Sequence, residues 1–79
     1  YPNPFNPITT INYSIETHGN AFLRIYDLRG RIVESLVDEI LEPGTHKIQW
    51  MATNIPSGIY FVELKSGSYR EIRKITLLK

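Results

Sequence analysis

No stretch of this chain sustains a helical period over ten residues. Five glycines and five prolines cut it into short pieces rich in Ile, Val, Thr and Tyr. β-Branched and aromatic side chains suit a pleated, half-buried surface, and turn residues recur at intervals of roughly ten positions. An all-β domain of short antiparallel strands follows.

The pieces can be placed one by one. Residues 9–15 alternate, with Ile11, Tyr13 and Ile15 on one side and Thr10, Asn12 and Ser14 on the other. His18-Gly19-Asn20 turns the chain into a strand over 21–26, with Ala21, Leu23 and Ile25 inward and Phe22 and Tyr26 on the opposite face. Asp27-Leu28-Arg29-Gly30 reads as a tight hairpin loop with Gly30 at the positive-φ bulge position, and a third strand over 31–37 returns antiparallel. Residues 38–42 fit either a short helical turn or an exposed crossing between sheets. After the Pro43-Gly44 turn, residues 45–50 put His46, Ile48 and Trp50 on one face, with Trp50 the candidate for the centre of the core. Pro56-Ser57-Gly58 closes a loop before 59–65, the most apolar strand and so a central one. Ser66-Gly67-Ser68 reverses the chain into 69–78, whose charges at Arg70, Glu71, Arg73 and Lys74 suit a strand with one wet face. The sum is an immunoglobulin-like antiparallel β-sandwich of about six to seven short strands, with a small open barrel as the alternative.

Seventy-nine residues make one domain, 1–79, with a thin core. The formal net charge is +1 with both signs interspersed, which leaves no electrostatic footprint for nucleic acid. The longest apolar run is far short of a bilayer span, so no membrane insertion is expected. The absence of cysteine excludes disulfides and thiolate sites and leaves the compartment undecided. The chain does not begin with Met and shows no basic segment followed by an apolar one. Both points suggest a piece cut from a longer protein whose targeting signal lies elsewhere.

Chemistry-bearing patterns are weak. His18 and His46 are far apart and lack a second ligand type at a metal-binding spacing. Ser57, His46 and Asp27 could be written as a triad, but no nucleophile elbow surrounds Ser57. Asp38, Glu39 and Glu42 read as a solvated surface, without the cleft of a glycosidase or the Asp-x-Asp spacing of a calcium loop. Tyr1, Phe5, Phe22, Tyr26, Trp50, Tyr60, Phe61 and Tyr69 could form a carbohydrate-stacking platform, although a thin sandwich needs most of them for its core. Gly30, Gly44, Gly58 and Gly67 sit where turns want positive φ. The expectation is a noncatalytic domain with no cofactor and no metal.

The opening, Tyr1-Pro2-Asn3-Pro4-Phe5-Asn6-Pro7, holds three prolines in seven residues and can become neither helix nor central strand. That segment, then Thr9-Thr10-Ile11 and Tyr13, Ile25-Tyr26-Asp27 with Gly30-Arg31, Gly44, His46 and Trp50, Ser57-Gly58-Ile59-Tyr60-Phe61, and Lys74-Ile75 with Leu77-Leu78-Lys79 follow one another in an ordered set. The set resembles the type A C-terminal sorting domains of type IX secretion, and is similar to the immunoglobulin-like domain of the flagellar hook-capping protein. The resemblance implies a noncatalytic signal at the end of an exported cargo protein of a Gram-negative bacterium. The cargo would pass through the periplasm to the outer-membrane translocon, and thence to the cell surface or medium. It also implies a sortase-like peptidase as second partner, cutting before Tyr1. The last strand, with Lys74, Ile75, Thr76, Leu77, Leu78 and Lys79, is the candidate for translocon recognition through its edge and basic ends; equally, these residues could simply close the sandwich. A structural or adhesive module is the second expectation and a carbohydrate-binding module the third.

Overall fold

The computed structural model describes residues 8–52 and 54–78. Six strands fill them: β1 (Ile8–Ile15), β2 (Gly19–Tyr26), β3 (Ile32–Leu41), β4 (Gly44–Met51), β5 (Gly58–Ser66) and β6 (Tyr69–Leu77). All pairings are antiparallel. β1 pairs with β4 in one sheet, and the other runs in the order β3-β2-β5-β6. The two sheets face one another as a β-sandwich rather than closing into a barrel. Tyr1 through Pro7, Thr53 and Lys79 lie outside the described residues.

The alternation read from the sequence sets the core. Ile11, Tyr13 and Ile15 of β1 meet Ala21, Leu23 and Ile25 of β2 and Tyr60, Val62 and Leu64 of β5, with Val37 and Leu77 closing the sides. Trp50 is fully enclosed, at 0 % exposure, and occupies the centre expected of it. Its ring meets Tyr60 edge-on with centroids 5.6 Å apart, a favoured arrangement of aromatic quadrupoles. Its indole Nε1 donates to Glu34 Oε1 at 3.1 Å, which satisfies the only polar group the indole carries into the core. Tyr60 likewise donates its hydroxyl to the Pro56 carbonyl at 2.6 Å.

The hairpin between β2 and β3 follows from one carboxylate and one glycine. Asp27 Oδ1 accepts from the backbone N–H groups of Arg29 and Arg31, and Asp27 Oδ2 accepts from Arg31 Nε at 3.1 Å. Gly30 has φ +81°, a conformation that an L side chain resists, and its N–H donates to the Asp27 carbonyl. Arg31 holds the half-buried Asp27 carboxyl below its ordinary range, chiefly through its backbone N–H. The Asp27 and Gly30-Arg31 motif is therefore accounted for by the turn it builds.

Residues 38–41 form neither a helical turn nor a crossing between sheets; the crossing to β4 of the other sheet is confined to Glu42 and Pro43. β3 continues as one ten-residue strand through Asp38, Glu39 and Ile40 to Leu41, paired along β2. Two register shifts, between Leu23 and Arg24 and between Ile25 and Tyr26, leave β3 with extra residues there. Such bulges break the strict alternation that sequence patterning relies on.

Candidate functional site

The last strand sits where an edge can be read. β6 pairs only with β5 among the described residues, in an unbroken nine-residue register from Tyr69 opposite Ser66 to Leu77 opposite Gly58. Because alternate residues of a strand face opposite ways, the candidate residues divide. Leu77 points inward and is buried, and Ile75 packs against the core beside it. Lys74 and Thr76 project from the outer face and are exposed, as is Leu78 just past the strand at 80 % exposure. Lys79 lies outside the described residues. The proposed recognition set thus has an anchoring half and an available half, with Lys74 and Thr76 opposite Phe61 and Ile59 of β5.

The outer face around that edge has its own organisation. Glu63, at the middle of β5, is 8 % exposed although it lies on the side away from the core. Tyr26 donates its hydroxyl to Glu63 Oε1 at 2.7 Å, and Arg70 of β6 donates its Nε to Glu63 Oε2. Both oxygens of a nearly buried carboxylate are thereby satisfied by a phenol and a cation. The Tyr26 hydroxyl and then Arg70 hold the Glu63 carboxyl below its ordinary range, and the same hydrogen bond raises the Tyr26 phenol. Arg24 lies over the Phe22 ring, 3.8 Å from its centroid. Tyr26, Leu28, Phe61, Ile72, Glu63 and Arg70 line an open groove on this face.

These positions were only half visible beforehand. Outward placement of Phe22 and Tyr26 followed from parity, but the Tyr26, Glu63 and Arg70 cluster joins residues 37 and 7 positions apart. Strand order and register bring them together. The aromatic set is split: Trp50 and Tyr60 belong to the core, Phe22, Tyr26 and Phe61 are half-buried on the outer face, Tyr69 is exposed, and Tyr1 and Phe5 lie outside the described residues. Gly30 and Gly67 lie in turns at φ +81° and +61°, whereas Gly44 and Gly58 open β4 and β5.

The remaining candidates have local partners. His46 stacks on Tyr13 with centroids 5.4 Å apart, and its Nε2 lies 2.8 Å from the Glu42 carbonyl. His18 Nε2 lies 3.5 Å from Glu42 Oε2. Asp38 and Glu39 are exposed residues of β3, and the Asp27 carboxylate is engaged by its own turn. No group of three or more His, Asp or Glu side chains among the described residues is placed to hold a metal ion. No helix among them is long and apolar enough to cross a membrane.

A two-sheet antiparallel sandwich with an enclosed aromatic centre and a regular, charged last strand makes this a small all-β module. The chain belongs to the family described as the secretion system C-terminal sorting domain, whose model matches residues 1–78. It is a C-terminal sorting signal for type IX secretion, a family of signals rather than of catalysts. Such a signal is attached to a cargo chain, engages the type IX secretion system and directs export to the cell surface or the extracellular space. Comparison with curated proteins and with solved structures yields no match.

Proposed function

We propose that residues 1–79 form a single sorting domain at the C-terminus of an exported cargo, and that the type IX outer-membrane translocon reads it as a folded sandwich through β6. Lys74, Thr76, Leu78 and Lys79 supply the contact; Ile75 and Leu77 hold the strand in place. The observation that carries this reading is the exposure of Lys74 and Thr76 on an unbulged edge strand, while Leu77 beside them is locked in the core. A free edge offers backbone groups to a partner strand, and flanking lysines add charge-dependent selectivity. After translocation a sortase-like peptidase removes the domain by cutting upstream of Tyr1, so that this chain is a substrate and not an enzyme.

The test is a fusion of residues 1–79, with the native upstream linker, behind a signal peptide and a fluorescent cargo in a bacterium that has type IX machinery. Cargo at the surface or in the medium, shortened by the mass of the domain, is the expected result. Lys74→Glu should lower export while leaving the domain folded. Unchanged export of both Lys74→Glu and Thr76→Asp would remove β6 as the surface that is read. Export of uncut fusion would remove the peptidase step alone.

A further inference from the structure

Among the described residues, the four-stranded sheet has two unpaired edges of opposite charge. β3 carries Glu34, Asp38 and Glu39 with no cation, and β6 carries Arg70, Arg73 and Lys74 against Glu71. Charged edges usually keep sheets apart, and neither of these edges gains from charge by pairing with its own kind. Two β3 strands brought together would gather six carboxylates, three from each copy. Two antiparallel β6 strands centred on Ile72 would set Arg70 against Lys74 twice and Glu71 against Arg73 twice, so repulsion and attraction offset one another. The pairing that charge favours is β3 with β6.

Strand direction and register favour that same pairing. Directions alternate across β3-β2-β5-β6, so β3 and β6 run opposite ways. A second copy shifted sideways across the strands therefore sets its β3 antiparallel beside the first copy's β6, with core faces and outer faces aligned. Paired residues define rows across the sheet. One row is Asp38, Phe22, Lys65 and Arg70; another is Glu34, Ile25, Val62 and Arg73. Continuing the rows into the second copy places Arg70 opposite Asp38 on the outer face and Arg73 opposite Glu34 on the core-facing side. The rows between and beside them put Ile72 opposite Ser35, Glu71 opposite Val37 and Lys74 opposite Ile32, so no like charges meet. Ser35, Asp38, Arg73 and Lys74 are all exposed.

We propose that the partner of these edges is a second copy of this chain, docked head to tail with β6 of one domain antiparallel to β3 of the next. Opposite charges directly across antiparallel strands are mutually stabilising, each by a fraction of a kcal/mol to about 1 kcal/mol. The interface is a strand edge rather than a broad apolar face, and the bulges of β3 shorten the length that can pair. Association is consequently weak and salt-sensitive. The relation is heterologous, so each added copy leaves one β3 and one β6 free at the ends and growth is open-ended. The proposal concerns contacts between copies and does not rest on what the secretion apparatus reads.

The test is sedimentation velocity on the 79-residue chain over a concentration series, in low and in high salt. Wild type should show an average mass that rises with concentration without stopping at a dimer, and that falls when salt is added. Asp38→Lys and Arg73→Glu, each altering one edge, should associate about tenfold more weakly on their own. Mixed in equal amounts, they should form a heterodimer that grows no further, because the intact β6 of the first variant meets the intact β3 of the second. Near-ultraviolet circular dichroism of Trp50 checks that each variant is folded. Arg73→Gln, which cannot repel Glu71, should weaken association in the same direction but less. A wild type monomeric at every concentration overturns the proposal, as does a wild-type dimer indifferent to Asp38→Lys, or a mixture in which the two variants do not associate.

Discussion

The two faces of the four-stranded sheet solve the same burial problem with different chemistry. On the inner face, Leu23, Ile25, Val62 and Leu64 pack against β1 and β4, and the polar atoms that enter with Trp50 and Tyr60 are each met by one partner. On the outer face no second sheet lies above the strands among the described residues, yet Glu63 is nearly as enclosed as the core. Its cover is made by long side chains of its own sheet, Tyr26 from β2 and Arg70 from β6, which close over the carboxylate and neutralise it. A core made by apolar contact tolerates little change of volume, whereas a cover made by three hydrogen-bonded side chains depends on charge and hence on pH.

The largest effect should come from the inner face. Trp50→Ala removes the biggest enclosed side chain and strands Glu34, and should cost about 3–5 kcal/mol, seen as a lower urea midpoint. Phe61→Ala, a ring half-buried on the outer face, should cost well under half as much. Equal losses would mean that the outer aromatics are as tightly held as the core and would erase the distinction between the faces.

Next is Glu63→Ala, which leaves the Tyr26 hydroxyl and the Arg70 guanidinium without their shared partner. About 1–3 kcal/mol should be lost. Tyr26→Phe removes one hydrogen bond and should cost less, about 1 kcal/mol. If Glu63→Ala proved neutral, the outer cover would be ornamental and only the inner face would stabilise the fold.

The pH dependence separates the faces further. The folded domain lowers the carboxyl pKa of Glu63 through the Tyr26 hydrogen bond and Arg70, and that of Glu71 through Arg73. A depressed folded pKa means that their stabilisation is complete above the unfolded carboxylate value of about 4.3 and is lost as pH falls through the folded values. At the alkaline end, Tyr26 has its phenol raised by Glu63, and Tyr13 by burial. Their contribution is complete below the unfolded pKa of about 10 and disappears as pH rises through the folded values. Urea midpoints measured from neutral to acid pH should fall for the wild type and fall less for Glu63→Gln. Parallel curves would assign the acid sensitivity to other carboxylates.

These contrasts mark where the sequence was legible. Alternation in β1 and β2, the predominantly apolar composition of β5 and a lone tryptophan in β4 located the core without help from tertiary structure, because a two-residue period maps directly onto two faces. The same rule failed over 38–41. The bulges of β3 shift its parity relative to β2, and Asp38 and Glu39 are polar because they lie on an edge, not because the chain leaves the sheet. The Glu63 cover could not be foreseen from composition, since its three members come from three strands and meet only once β2-β5-β6 is in register. The candidate recognition strand was visible as a strand, but which of its residues are available depends on which face meets the core.

Turn chemistry should have a smaller effect than either face. Gly30→Ala places a Cβ at φ +81° in open space, so the cost is backbone strain alone, about 1 kcal/mol. A loss as large as that of Trp50→Ala would show that the hairpin sets the register on which both faces depend.

The smallest expected change in stability is at Lys74, and it sharpens the comparison most. Lys74 projects from the outer face and has no ion pair to lose among the described residues, so Lys74→Glu should alter stability by less than about 0.5 kcal/mol. Leu77→Ala, three residues on and on the inner face, should cost about 2–4 kcal/mol. Both are expected to reduce export of a fused cargo, but by different routes: the first with an unchanged melting curve, the second in step with unfolding. Restoring stability to Leu77→Ala, for example by cooling, should restore its export, whereas Lys74→Glu should stay defective at every temperature. If instead export followed stability alone across both variants, the secretion apparatus would be sensing the integrity of the inner face, and the exposed side chains of β6 would serve only to keep an edge strand from aggregating.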